Sequence, residues 1–170
     1  MLEANSRKSI SSEALGQGSR SDSAGLLEEA SDWEVAAGLV GRRNCPAVFK
    51  ENVARPGIVA LSTIRRTAVL VELTVPFEAN MSESHEFKLA KYEVLREALH
   101  ADGYKAHLFA VEVGARGFAG ASVYSLLKRL DVSSKARSRC IKAAAEAAER
   151  SSYWIWLKRD TKEWKPMKDQ

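Results

Sequence analysis

The chain has 170 residues, 45% of them apolar and 28% charged, with a net charge of +4. That gives room for one domain with a sizeable core, at the balance of an ordinary soluble globular protein. No apolar run approaches the roughly 18–20 residues that span a bilayer, and the first residues lack the apolar stretch of a signal peptide, so neither a membrane protein nor a secreted one is expected.

Cys45 and Cys140 show neither Cys-x-x-Cys nor Cys/His spacing, which argues against a zinc site and a disulfide framework. A reduced intracellular setting with both thiols buried or half-buried follows. Charge is unevenly spread. Residues 1–30 are mildly acidic, and the positive excess lies after Arg116, through Lys128, Arg129, Lys135, Arg137, Arg139, Lys142 and on to Lys168. A basic half of this kind favours a polyanionic partner such as nucleic acid.

In chain order, residues 1–30 are rich in Ser, Ala, Gly and Glu and hold no aromatic residue. They offer little apolar surface to bury, so we expect a disordered, dispensable N-terminal segment. Order should begin near Ser31-Asp32-Trp33, with a weak strand or irregular stretch around Val35. Residues 58–62 read as a short strand and 63–66 as a polar turn. Residues 67–77 form the strongest strand signal, a near-continuous β-branched and apolar run expected of a strand buried on both faces. Asn80 and Glu83 have the spacing of a capping box, and the helix they open should run to about Ala101, with Gly103 as its stop. Residues 105–113 read as a third strand. A glycine-rich bend at 114–120 follows, whose glycine spacing is not that of a phosphate loop, although its amides sit where a helix start can meet a phosphate. Two helices should occupy 121–130 and 134–152. Tyr153-Trp154-Ile155-Trp156-Leu157 is an aromatic cluster expected to close the core, and the basic residues beyond 160 are a tail. The fold class is therefore α/β: a small mixed sheet flanked by helices, in one domain over 31–160.

Two features carry chemistry. Glu72 interrupts the apolar run Val69-Leu70-Val71-Glu72-Leu73-Thr74-Val75. A carboxylate in a central strand costs several kcal/mol unless it is paired or binds a cation; Lys88 and Arg116 are the candidate structural partners. Lys88 and Lys91 lie three apart on the following helix, on one side of it.

Arg55-Pro56-Gly57, Glu72-Leu73-Thr74-Val75-Pro76, Lys88-x-x-Lys91-Tyr92 and Val111-Glu112-Val113-Gly114-x-Arg116-Gly117 give the order strand, acidic strand, lysine-bearing helix, strand. This resembles the PD-(D/E)xK nuclease superfamily. Over about residues 32–165 it is similar to the restriction-like endonuclease region of site-specific non-LTR retrotransposon polyproteins. The resemblance implies a restriction-endonuclease-like core and a Mg²⁺ ion held by Glu72 and the Leu73 main chain. It also implies Glu72, Lys88 and Lys91 as catalytic residues. DNA would be bound through Arg116, Lys135, Arg137, Arg139 and Lys142, in a nucleus, with a larger retrotransposon polyprotein as parent context. Where the family pattern has Arg-Pro-Asp, this chain has Gly57, and the stretch from Phe49 to Arg55 looks shortened. Cleavage is therefore expected to be impaired, with Glu51 or Glu78 as possible substitute acids. The alternative is a catalytically dead nucleic-acid-binding or protein-interaction remnant of the same fold.

Overall fold

The computed structural model describes residues 25–37, residue 49 and residues 55–161. A 3-10 turn at Leu26–Glu29 leads into strand β1 (Glu34–Ala37), then β2 (Ile58–Ser62) and β3 (Thr67–Thr74). A second 3-10 turn, Glu78–Asn80, opens helix α1 (Met81–Ala101). It is followed by β4 (Lys105–Glu112), α2 (Ala121–Arg129) and α3 (Ser134–Lys158). The four strands form one sheet in the order β1-β2-β3-β4. β1, β2 and β3 pair antiparallel, and β4 joins β3 in parallel. The parallel pair requires a crossover, which α1 supplies. The α/β class with a mixed sheet flanked by helices is thus what the chain adopts. Among the described residues, no helix is long and apolar enough to cross a membrane.

Helices cover both faces of β3, and this explains its continuous apolar run. Ala68 and Leu70 pack with Tyr92, Leu95 and Leu99 of α1. Val69 and Val71 pack with Val123 and Leu126 of α2 and Ala148 of α3. Pro56 and Phe49 are buried as well. α1 ends as its glycine implied: Gly103 takes φ +81°, a left-handed conformation that costs glycine little. Gly117 has φ +86°, and a Cβ there would lie 3.1 Å from the Ala145 carbonyl oxygen, so the glycine-rich bend sits tight against α3.

Several expectations are corrected. The stretch 25–30 is packed rather than disordered: Leu26 is 0% exposed within the cluster of Val69, Val71 and Val123. The Trp33 Nε1–H donates to the Leu27 carbonyl at 2.8 Å. Expectations for residues 1–24, Cys45, Glu51 and the tail beyond residue 161 lie outside the described residues. The Asn80 side chain makes no capping bond, because residues 78–80 already turn as a 3-10 helix before α1. α3 runs on to Lys158 and absorbs the aromatic cluster. Trp154 and Trp156 do not close the core; they are 56% and 57% exposed. Cys140 is exposed, not buried.

Asp32 ties the start of β1 to the β2–β3 turn. Its carboxylate accepts from the Ile64 amide at 3.0 Å and from the Ser62 hydroxyl. The Ile64 amide first, and the Ser62 hydroxyl next, hold its pKa below the ordinary 3.8. A carboxyl whose pKa is depressed by folding stabilises the fold above its unfolded pKa and loses that contribution as pH falls through the folded one. The melting temperature should therefore fall below about pH 4. Asp32→Asn should lower it at neutral pH, with the gap to the parent closing in acid. A gap that does not change with pH would exclude this carboxylate as the cause.

Candidate active site

Glu72 is the centre of the candidate site. It stands near the end of β3 on the face turned toward α1, and is only 8% exposed. Its Oε1 accepts from the Lys88 ammonium at 2.6 Å. Its Oε2 accepts from the Gly57 amide at 2.9 Å. Three segments that are 15 and 16 residues from Glu72 in sequence, or contain it, therefore meet at one carboxylate. β2 brings position 57 beside β3 through the antiparallel ladder, in which Ile58 faces Val71. α1 lays Lys88 over the strand end.

Tyr92, one turn beyond Lys88, closes the site from behind. Its hydroxyl donates to the Arg55 carbonyl at 3.0 Å. Burial, and then the negative charge of Glu72, push the phenol up to about 12, so it stays protonated and keeps that bond through the neutral range. It locks the Arg55-Pro56-Gly57 turn against α1.

Lys91 is not brought onto Glu72. Its ammonium lies 5.0 Å from the centre of the Tyr92 ring, a cation–π contact on the flank of the site. Leu73 lies in the β3–β4 ladder opposite Val111, and its side chain is 51% exposed. Of the two partners considered for Glu72, Lys88 takes the role. Arg116 instead pairs with Glu78, its side-chain Nε at 3.0 Å and its amide at 2.8 Å. That engagement holds Glu78 below the ordinary carboxylate range, with the Arg116 amide as the main cause. Glu78 is therefore not a substitute acid beside position 57.

The residues assigned to DNA divide. Lys135, Arg139 and Lys142 are exposed and follow one helical stripe of α3, where Lys142 pairs loosely with Glu146 at 3.8 Å. Arg137 is half-buried and donates from Nη2 to the Val132 carbonyl at 3.0 Å, which makes it a tie between α3 and the loop before it.

A second polar cluster was not singled out from the sequence. Glu112, at the end of β4 and 4% exposed, accepts at Oε2 from the Ser122 hydroxyl at 2.7 Å. Its Oε1 lies 3.0 Å from His85 Nδ1. Thr74 faces Glu112 across the β3–β4 ladder, and the Thr74 hydroxyl lies 3.4 Å from that of Ser84 on α1. Glu72, Thr74 and Glu112 thus share one face of the sheet. One signal was present: Glu112 interrupts an apolar run just as Glu72 does.

The residues present do not fit Mg²⁺. Both Glu72 oxygens are committed, one to an ammonium and one to an amide, and Gly57 brings no second carboxylate. Among the described residues, no three His, Cys, Asp or Glu side chains are grouped so as to hold a metal. No protein-family profile matches this chain, and no curated protein sequence matches it either.

Proposed function

We propose that the chain is an endonuclease-like, DNA-binding domain with a restriction-endonuclease-like core. On this reading it derives from a retrotransposon polyprotein and works in the nucleus. Its metal-dependent phosphodiester cleavage is impaired because Gly57 stands where an aspartate is needed. The observation that carries this reading is the meeting of Gly57, Glu72 and Lys88 at one carboxylate. The mixed sheet, with α1 crossing from β3 to a parallel β4, supports it. In such a site Mg²⁺ would supply Lewis-acid stabilisation of the phosphate. Here Lys88 neutralises Glu72 instead. A supercoiled-plasmid assay with Mg²⁺ and Mn²⁺ tests this: the native protein should nick feebly or not at all. Efficient nicking would refute the impairment.

The exposed stripe on α3 favours DNA binding as the activity that remains. Affinity should be sequence-tolerant and fall steeply with salt. Neutralising Lys135, Arg139 and Lys142 together should flatten the plot of log K against log salt, by up to about 0.9 for each phosphate that is no longer neutralised. Arg137→Ala should act on stability more than on the slope. An unchanged slope in the triple variant would move the DNA-binding surface elsewhere or remove it.

A further inference from the structure

Beside the Glu72 site, a cleft of about 500 Å³ opens between the first turns of α1 and the start of α2. His85 and Glu112 line it, together with Ser82, Glu86, Phe118 and Ser122. The Glu112 carboxylate is held on one side by Ser122 and on the other by His85. An ionised carboxylate only accepts, so a neutral His85 ring bonded to it through Nδ1 carries its hydrogen on Nδ1 and keeps the lone pair on Nε2. Nε2 lies on the ring edge away from Nδ1, and the His85 side chain, which lines the cleft, is 36% exposed. A buried carboxylate on Nδ1 and a partly exposed ring lining the cleft together make a candidate proton acceptor.

His85 and Lys88 share α1, and Glu112 and Glu72 share one face of the sheet, so the cleft and the Glu72 site are built on the same two elements. His85 precedes Lys88 by three residues on α1, so the two side chains are neighbours on the helix surface. Glu72 itself is a poor acceptor, since Lys88 and the Gly57 amide occupy its oxygens. The other charged groups around His85 are few. Glu78 is engaged by Arg116. Glu86 lines the cleft, and Lys88 stands one turn on along α1.

We propose that His85 accepts the proton of the water that attacks a phosphodiester seated against Lys88, with Glu112 and Ser122 as its positioning residues. This rests on the endonuclease reading. The water gives one proton to Nε2 and its oxygen bonds to phosphorus. One bridging P–O bond breaks, and the departing alkoxide takes a proton from solvent. The imidazolium, stabilised by Glu112, returns its proton to solvent. The products are a phosphomonoester and an alcohol.

The test uses the full chain carrying Gly57→Asp, for which nicking is expected, with plasmid DNA across about pH 5.5–8.5, a span that brackets the ordinary histidine pKa. A general base contributes typically about 10²- to 10⁴-fold. His85→Gln should therefore slow nicking by at least about 10²-fold and remove the rise of rate with pH. Added imidazole should restore part of the rate to His85→Gly. Ser122→Ala should give a smaller loss with the pH dependence kept. Nitrogen-15 spectra of the histidines read the site without any activity: His85 should be protonated at Nδ1 when neutral. An Nε2-protonated ring overturns the proposal. So does nicking by Gly57→Asp that His85→Gln leaves unchanged, and in that case the endonuclease reading survives. Absence of nicking in every variant, with folding verified by thermal melts, sinks both.

Discussion

Gly57→Asp should convert a feeble or inactive protein into one that nicks DNA in a metal-dependent way. A Cβ at position 57 would lie 3.7 Å from Glu72 Oε2 and 3.8 Å from the Val71 carbonyl oxygen, both ordinary van der Waals distances. Gly57 is not among the glycines with positive φ, so an aspartate meets no backbone strain. Its carboxylate would stand next to that of Glu72 and give a divalent ion two anionic donors in place of one. Lewis-acid stabilisation is worth several kcal/mol. At about 1.4 kcal/mol per decade, nicking should rise by roughly 10²-fold or more. Glu72→Ala in the same background should abolish the gain, and Lys88→Ala should reduce it. If Gly57→Asp folds and still does not nick, the absence of a second carboxylate at position 57 is not what limits cleavage. If the native protein nicks strongly, another acid has replaced the missing one.

Leu26→Ala should lower the melting temperature sharply. Leu26 is fully buried among Val69, Val71, Val111 and Val123. Truncating such a leucine costs about 2–5 kcal/mol, the forfeited burial of its methyl groups plus the cavity left behind. For a domain of this size each kcal/mol is worth roughly 2–4 °C, so a fall of about 4–20 °C is expected. The neighbouring Gly25 passes so close to Asp131 that a Cβ there would lie 2.4 Å from the Asp131 Cβ; the segment is therefore seated, not merely adjacent. Removing residues 1–30 should reproduce the loss, while removing residues 1–24 keeps Leu26 and serves as the reference. A truncation at residue 30 that melts within about 2 °C of that reference, less than the shift from 1 kcal/mol, would show that Leu26 contributes nothing.

Where local pattern and tertiary environment agree, the chain could be read directly. β2 ends at Ser62 and the turn at Arg66, as their polar residues indicate. The run in β3 is apolar without alternation because helices lie on both of its faces. Glu72 stood out for the same reason: a carboxylate within such a run requires a partner, and Lys88 on the next helix is that partner.

What the sequence alone determined, then, is the sheet-and-helix order and the unusual carboxylate. Only the tertiary structure decided which distant side chains those elements bring together. Leu26 stands beside Leu27 in a stretch otherwise rich in Ser, Ala, Gly and Glu, and no local composition reveals that the first of the two is fully buried while the second is 38% exposed. Trp154 and Trp156 looked like core because large apolar side chains usually are. But α3, with 25 residues, is about 37 Å long at 1.5 Å per residue. The eight-residue strands beneath it span only about 26 Å. The last turns carrying those rings lie beyond Ala148, the one buried residue of the helix. His85 and Glu112 are 27 residues apart on a helix and a strand. Their bond exists because the α1 crossover lays its first turns over the end of β4, a long-range arrangement that no periodicity in the chain encodes.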